Sequence, residues 1–344
     1  MTTRSKGIVI SVLVVLSPAI TSAIDRKPLG EIDFFGYKGF DTAAIRSALP
    51  LHEGDLFPPA EMKSSDDLKR QVRDKVKQVI GREPTDVSFV CCDSKQNWMV
   101  YIGLPGESYQ SLVFHPAPAG DIKFPQEAVA LHEEMDRTTM SAVMKGHAAE
   151  DDSQGYALSS DPESRKAQLA VREYALQNEA LILRVLGSSS DAKHRSMAAQ
   201  MLGYARQSDE QIHALVEASL DADDGVRNDA VRALMVLATA KPDLAQRIPA
   251  EHFVRLLRSG AWSDHNKASF LLLALTRSRD PKVLALLRAE AVDSLLEMAR
   301  WRNLGHATAA LLILGRIAGI DEGSLNQLIA SGQVDAIIGK ATLQ

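Results

Sequence analysis

The sequence DDGVRNDAVRALMVLA, residues 223–238, returns in altered form three more times between residues 191 and 318. Each copy carries an alanine followed four residues later by a leucine. The pairs are Ala198–Leu202, Ala230–Leu234, Ala268–Leu272 and Ala310–Leu314. They lie 32, 38 and 42 residues apart, a period typical of helix pairs stacked side by side. The pattern predicts an all-α repeat structure over residues 163–344.

Each copy is predicted to be the second helix of a pair, because its apolar residues recur at helical spacing. In the second copy they are Val226, Ala230, Ala233, Leu234 and Leu237. The first helices are predicted around residues 212–220, 253–257 and 283–287, with an extra helix around 292–298 before the last copy. Small alanines let neighbouring helices approach closely, and the leucines fill the space between layers.

The first two copies share polar residues at fixed places. Asp191 and Asp223 stand seven residues before the anchor alanine, and Arg195 and Arg227 stand three before it. This pattern resembles HEAT repeats, a family of armadillo-type helical solenoids. Copies three and four differ, since His265 and Ala307 replace the arginine. The resemblance implies a protein-binding scaffold with a concave surface lined by the second helices.

The N-terminal part, residues 24–115, is predicted to be an α+β domain of order β-α-α-β-β. Its strand ends in Phe35-Gly36, a turn carries Leu51-x-x-Gly54-Asp55, and the last two strands form a hairpin. These features resemble one polypeptide-transport-associated (POTRA) domain. The resemblance implies binding of extended peptides by strand addition to a sheet edge. Such domains assemble membrane proteins when several copies precede a barrel, and here a single copy precedes helices.

Residues 1–23 have the pattern of an export signal. Arg4 and Lys6 precede the apolar run GIVISVLVVLSPAI, which ends at the small residues Thr21-Ser22-Ala23. We predict cleavage near Ala23, contact with the membrane only through this signal, and a periplasmic or secreted protein. A permanent membrane anchor is the alternative reading.

Residues 116–162 are predicted to be an acidic connector with one helix between Gln126 and Met144. They hold 3 Lys and Arg against 9 Asp and Glu, whereas residues 163–344 hold 22 against 21. The repeat region therefore lacks the net basic charge expected of a nucleic-acid-binding surface, and no nucleic-acid partner is predicted. Glu150-Asp151-Asp152 is expected to be exposed.

Residue patterns that carry chemistry are few. His132 and Asp136 stand four apart on one predicted helix face, a spacing that suits a metal ion, but the second histidine of the zinc hydrolase pattern is absent. They are retained as weak metal candidates, and an exposed acidic helix is the alternative. No catalytic residue and no cofactor is predicted. Cys91-Cys92, adjacent on a predicted strand, are expected to face opposite sides and to stay unpaired.

Arginine and tryptophan are enriched where binding energy concentrates. The predicted partner-binding residues of the repeats are therefore Arg195, Arg227, Arg232, Arg300, Trp301 and Arg302. For Arg195 and Arg227 the alternative is a structural pair with a repeat aspartate, Asp191 or Asp223. Trp98 and Trp262 are expected to be packed.

Together these features predict an exported, non-enzymatic scaffold or adaptor of the cell envelope that binds another protein or a peptide. The alternatives are a lyase working in the groove of the repeats, a metal-dependent hydrolase built around His132, or an accessory subunit of an export or assembly machine. The sequence does not define the oligomeric state.

Overall fold

The computed structural model describes residues 26–58 and 64–343, so the predicted export signal lies outside the described residues. The N-terminal elements are β1 (Lys27–Pro28), β2 (Ile32–Phe35), α1 (Thr42–Ala48), β3 (Leu56–Phe57), α2 (Ser65–Ile80), β4 (Asp86–Val90) and β5 (Met99–Gly103). The two-residue strands β1 and β3 pair with each other. The observed order is thus β-β-α-β-α-β-β, which has two strands more than predicted.

The main sheet has the strand order β2-β5-β4. Central β5 runs parallel to β2 and antiparallel to β4. All five residues of β5 are buried, and because successive residues of a strand point to opposite faces, both faces of the sheet are covered. The helices α1 and α2 begin at the side-chain caps Asp41 and Ser64, and α2 ends at Gly81, whose φ of 71° suits glycine.

Residues 116–162 fold more than the connector prediction anticipated. The predicted helix is confirmed as α3 (Gln126–Met144), and it is followed by an antiparallel pair, β6 (Glu150–Asp151) and β7 (Leu158–Ser159). Helix α3 packs against the first helix of the repeat region, and β7 contacts that same helix.

The rest of the chain is helical. Its helices are α4 (Pro162–Gln177), α5 (Glu179–Ser188), α6 (Ala192–Leu202), α7 (Asp209–Ala218), α8 (Asp224–Ala240), α9 (Pro242–Ala245), α10 (Ala250–Leu256), α11 (Trp262–Leu275), α12 (Pro281–Glu290), α13 (Val292–Met298), α14 (Leu304–Ile317), α15 (Glu322–Ala330) and α16 (Val334–Thr342). The four repeated phrases lie on α6, α8, α11 and α14. The extra helix expected before the last phrase is α13.

The anchor residues explain why these helices stack. All four anchor alanines and all four anchor leucines are fully buried, as the pattern predicts. The second helices are buried on more than one side: α14 carries eleven buried residues among its fourteen. Helix α14 is therefore covered on more than one side.

Contacts divide the described chain into two compact units. The first unit contains Val113–Ala250 and Phe270–Leu275. The second contains the described residues up to Leu112, together with Glu251–Ser269 and the chain from Thr276 onward. The α+β elements thus share a unit with α13 and α14. The predicted boundaries at residues 115 and 162 follow sequence pattern and stay predictions.

Two local features concern the cysteine pair and the character of the helices. Cys91 and Cys92 are joined in a disulfide between adjacent residues, which corrects the expectation that they stay unpaired. The physical reason is that β4 ends at Val90, so the alternation of a strand does not apply to the pair. Within the described residues, no helix has the length and apolar character needed to cross a membrane.

Candidate functional site

The turns that precede the second helices are fixed by side chains at equivalent positions. Asp191 caps α6 and Asp223 caps α8, each accepting a backbone N–H of the first helical turn. In the fourth repeat Asn303 does the same for α14. Asn303 stands seven residues before the anchor Ala310, as Asp191 and Asp223 do before theirs, and asparagine is also a good capping residue.

Arg195 is built into the first of these turns. Its guanidinium donates twice to the carboxylate of Asp221, at 2.7 and 2.8 Å, and once to the Ser189 carbonyl at 2.9 Å. Only 1% of the Arg195 side chain is exposed. The structural alternative named for Arg195 is what the structure shows, although the partner is Asp221 rather than Asp191 or Asp223. Arg195 thus joins the turn of its own repeat, at Ser189, to the turn of the next repeat, at Asp221.

The same position serves the same purpose in the next two repeats. Arg227 donates to the carbonyl of Asp221 at 2.9 Å, six residues before it, as Arg195 does to Ser189. In the second unit, His265 Nε2 lies 2.7 Å from the Ser259 carbonyl, also six residues away. Burial lowers the pKa of His265 to about 4, so the ring is neutral at pH 7 and Nε2 carries the donated proton. The sequence change in the third repeat therefore preserves the contact.

An extended segment that runs from just before the connector into its first residues lies against these turns in the first unit. The N–H of His115 donates to the Leu220 carbonyl at 2.7 Å. The N–H of Gly120 donates to the Ser188 carbonyl at 3.0 Å, and the Gly120 carbonyl accepts from Ser190 N–H at 2.7 Å. Both contacts are parallel β-bridges. The backbone of this segment thus binds one repeat turn every five residues.

The acceptors occupy equivalent places in the repeats. Ser188 and Leu220 each stand ten residues before an anchor alanine. The second unit holds a bond of the same kind, in which Gln110 N–H donates to the carbonyl of Arg258, again ten residues before its anchor. The donors 110, 115 and 120 have a five-residue period, and the next steps in either direction are Pro105 and Pro125, which have no N–H to donate.

Side chains add contacts at both ends of residues 113–124, which we call the strap. The guanidinium of Arg227 lies 3.7 Å from the centroid of the Phe114 ring, a cation–π contact. Phe124 is buried, its N–H donates to His194 Nδ1 at 3.1 Å, and its ring lies 6.0 Å from that of His194. Lys123 pairs with Asp191 at 3.2 Å. Arg227 thus both braces a turn and holds an aromatic residue of the strap.

Gly120 is required where the strap comes nearest to a turn. A Cβ at this position would lie 2.4 Å from the Ser188 carbonyl oxygen. That distance is far below van der Waals contact, and the obstacle is backbone, so a side chain cannot be accommodated without moving the strap.

The second-helix side chains of the first unit meet the connector as well. Arg232 donates to both carboxylate oxygens of Glu150, at 2.6 and 2.7 Å. The Glu150 side chain is only 11% exposed, which corrects its predicted exposure, because the carboxylate faces α8 as part of β6. Nearby on α8, Asp229 is buried and accepts from Ser196 at 2.5 Å and from Asn228 at 2.9 Å.

The metal candidates His132 and Asp136 form a pair within α3, with 3.3 Å between Nδ1 and a carboxylate oxygen. Burial lowers the pKa of His132, so its ring is neutral at pH 7. Among the described residues no cluster of three or more His, Cys, Asp or Glu side chains is arranged to hold a metal ion. Metal binding at this pair stays a prediction.

In the second unit, the α+β elements are fastened to the repeats by a buried carboxylate. Glu297 on α13 accepts from the N–H of Gly36 at 2.7 Å, from the N–H of Lys38 at 2.8 Å and from the Ser108 hydroxyl at 2.7 Å. Gly36 adopts φ of 64°, and a Cβ there would meet the Leu104 carbonyl oxygen at 2.2 Å. Burial raises the pKa of Glu297 despite these donors.

The predicted binding residues at the entrance to α14 make contacts inside the same unit. Trp301 is buried, and its Nε1 donates to the Phe34 carbonyl at 2.9 Å. Arg302 donates to the Asp33 carboxylate, the Ile32 carbonyl and Glu53. Arg300 is exposed, lies just beyond the end of α13 and donates to the Leu296 carbonyl of that helix.

An aromatic cluster lies beneath these residues. The ring of Tyr101 on β5 is 5.0 Å from Trp262, 5.1 Å from Trp301 and 5.4 Å from His306, centroid to centroid. The hydroxyl of Tyr101 lies 2.6 Å from His306 Nδ1. Burial and the nearby Lys267 cation lower the pKa of His306 to about 3, so the Tyr101 hydroxyl donates to a neutral ring. Trp98 and Trp262 are packed, as expected.

These contacts also occupy the outer edge of β2. Three outward backbone groups of this strand are bonded to side chains: Ile32 N–H to Glu53, Ile32 carbonyl to Arg302, and Phe34 carbonyl to Trp301. Strand addition, which the sequence resemblance implied for a sheet edge, is therefore blocked at β2, because a new strand would have to displace these bonds.

The residues missed by sequence reasoning are Asp221 and the strap. The sequence carried one signal for Asp221: this residue stands two places before a capping aspartate, as Ser189 does. In the structure both side chains accept the backbone N–H of that capping residue. The strap had only its five-residue spacing between prolines, a signal too weak to read without knowing the acceptors.

Comparison with known proteins gives distant likenesses only. No protein-family model and no curated protein matches the chain. Among solved structures, an engineered protein gives a TM-score of 0.37 at 18% identity, covering 53% of this chain and 90% of its own. A designed armadillo repeat protein in complex with a (KR)4 peptide gives 0.37 at 14% identity, covering 56% and 96%. At these values neither likeness carries an argument about function.

Proposed function

We propose that this chain is an exported, non-enzymatic scaffold or adaptor of the cell envelope that binds another protein or a peptide through its helical repeats. The observation that carries the proposal is the strap: the repeat turns bind an extended stretch of polypeptide at regular intervals. The repeats thus do within the chain what a scaffold does for a partner. Export and the envelope location rest on the sequence of residues 1–23.

The internal contacts narrow where a partner can bind. Trp301, Arg302 and Arg232 already bind groups of their own unit, so they are available only if those contacts open. Arg300 is exposed, and so are most residues of the strap, which lies against the repeat turns. We propose that the partner approaches at the turns. The α+β domain, which is POTRA-like by its sequence, serves in this proposal to brace the last repeats.

Crosslinking in the native envelope followed by mass spectrometry tests the proposal. Expected is one recurrent partner with crosslinks that map to residues near the repeat turns. The crosslinks should weaken with Arg300→Ala, whereas Arg277→Ala, an exposed arginine on the turn after α11, serves as the matched control. Failure to find any recurrent partner, or crosslinks that ignore both the turns and Arg300, would contradict it.

A further inference from the structure

We propose that the repeat turns of the first unit form a docking track for extended peptides, that the strap occupies this track in cis, and that a partner segment of the same pattern displaces it. The pattern is an aromatic residue, a glycine six residues later, then a basic and an aromatic residue, as in Phe114, Gly120, Lys123 and Phe124. The inference rests on the proposed scaffold function and names the chemistry of its partner.

The track recognises backbone first. Carbonyls of Ser188 and Leu220 accept N–H groups of the strap, and Ser190 N–H returns a bond to it. Backbone hydrogen bonds of this type give affinity without demanding particular side chains, and the side chains between them give selectivity. Three strap residues give selectivity here: Phe114, whose ring contacts Arg227; Gly120, where there is no room for a Cβ; and Phe124, whose buried ring lies beside His194.

The strap is held weakly for its length. Phe124 is its single buried residue, while Phe114 is half-buried and Val113 is 94% exposed. Segments with few buried apolar contacts and solvent-exposed backbone bonds open at low free energy. A segment supplied by a partner can therefore replace the strap without unfolding the repeats.

The track itself does not depend on the strap. Its turns are braced from within, by the bidentate pair of Arg195 with Asp221 and by the bonds of Arg195 and Arg227 to turn carbonyls. A site that keeps its shape when empty loses little free energy to ordering when a ligand arrives. The track is therefore preorganised for a second occupant.

The test uses a fluorescent peptide with the sequence of residues 111–126 and the full chain as receptor. In the wild-type chain the tethered strap competes at an effective concentration on the order of millimolar. In the Gly120→Val chain, the new side chain meets the Ser188 carbonyl and releases the strap. Fluorescence anisotropy is expected to show the peptide binding Gly120→Val at least about tenfold more tightly than wild type.

Three controls make the result specific. A peptide carrying the same glycine-to-valine change should bind neither chain. The chain variant Val113→Ala, which alters an exposed strap residue, should behave as wild type. Circular dichroism checks that Gly120→Val is folded; should it not fold, Phe114→Ala replaces it, since loss of the cation–π contact weakens the strap without a backbone clash, with an expected gain on the order of tenfold.

Equal binding of the peptide to wild type and to the released chain would overturn the proposal, as would no saturable binding to either or equal binding of the valine peptide. These outcomes are separable from failure of the scaffold function. If a recurrent envelope partner is found but the peptide does not bind, the scaffold proposal stands and the docking-track proposal fails. If the peptide binds as expected but no envelope partner is found, the docking-track proposal stands and the envelope-scaffold proposal fails.

Discussion

Glu297 is expected to be a main attachment between the α+β elements and the last repeats. Its carboxylate accepts from two backbone N–H groups, those of Gly36 and Lys38, and from one hydroxyl, that of Ser108. In Glu297→Gln the side chain keeps its size but loses its charge and one acceptor. Its amide NH2 then faces donors, so at least one buried donor is left without an acceptor.

The magnitude follows from the cost of such bonds. Hydrogen bonds to a charged group contribute roughly 1.5–3 kcal/mol, neutral ones about 0.5–1.5, and an unsatisfied buried donor costs about 1–3. Part of the loss is offset, because the amide no longer carries the burial penalty that raises the pKa of Glu297. We expect Glu297→Gln to lower the free energy of unfolding by about 2 kcal/mol.

Urea unfolding followed by tryptophan fluorescence measures this change in the right place, since Trp98, Trp262 and Trp301 are the three tryptophans of the chain and all belong to the second unit. The exposed Glu290 offers a matched control, Glu290→Gln, with no expected shift. A shift below about 0.5 kcal/mol for Glu297→Gln, the size of an ordinary surface substitution, would refute the assignment.

Three further predictions concern a buried ion pair, a buried histidine and two helical glycines. Arg195→Met leaves the buried Asp221 carboxylate without its bidentate partner and should lower stability by about 3–5 kcal/mol in thermal unfolding followed by circular dichroism; a loss under about 1 would argue against the turn brace. The pKa of His265 is lowered to about 4; the folded protein therefore binds that proton less tightly than the unfolded chain, and stability should fall as pH drops from about 6.5 toward 4, by up to roughly 3 kcal/mol. His265→Gln should flatten that slope in urea titrations, and an unchanged slope would contradict the assignment. Gly187→Ala, where an added Cβ meets nothing, should raise the free energy of unfolding by about 0.5–1 kcal/mol. Gly315→Ala, where the Cβ would meet Leu325 at 2.0 Å, should lower it by about 1–3 kcal/mol. Equal effects of the two substitutions in urea unfolding would show that the packing around α14 is misassigned.

The repeat architecture could be predicted because it depends on residue spacing within short stretches of sequence. Each anchor alanine and leucine repeats at helical spacing, and burial of Ala230 and Leu234 needs only the neighbouring helix of the same repeat type. Helix α3 was also predicted, from the apolar residues along it, although these form a less regular face than those of the repeats. Such features depend on periods and caps that a short window of sequence contains.

The contacts of Trp301 and Arg302 could not be predicted in the same way. A buried tryptophan and a charged arginine suit an interface with another protein as well as one inside the chain, and the sequence does not say which. Their partners Phe34 and Asp33 lie more than 260 residues away. Partner binding by the six predicted residues stays a prediction, although each of them already donates to a side chain or a backbone group of its own unit.

The strap escaped prediction for a related reason. Its backbone bonds are made by His115 and Gly120, and backbone donors leave no trace in residue identity except at glycine and proline. The five-residue spacing of the N–H donors can be interpreted only once the structure shows that their carbonyl acceptors occupy equivalent positions in the repeats. Long-range backbone pairing is thus the part of this protein that residue patterns specify least.

Amide hydrogen exchange over residues 108–125 tests the central claim most directly, because that claim concerns individual N–H groups of the segment that precedes α3. The account predicts slow exchange at Gln110, His115 and Gly120, with faster exchange at intervening exposed residues such as Val113. Uniformly fast exchange along the whole segment would contradict the claim that the repeat turns bind an extended strand of their own chain.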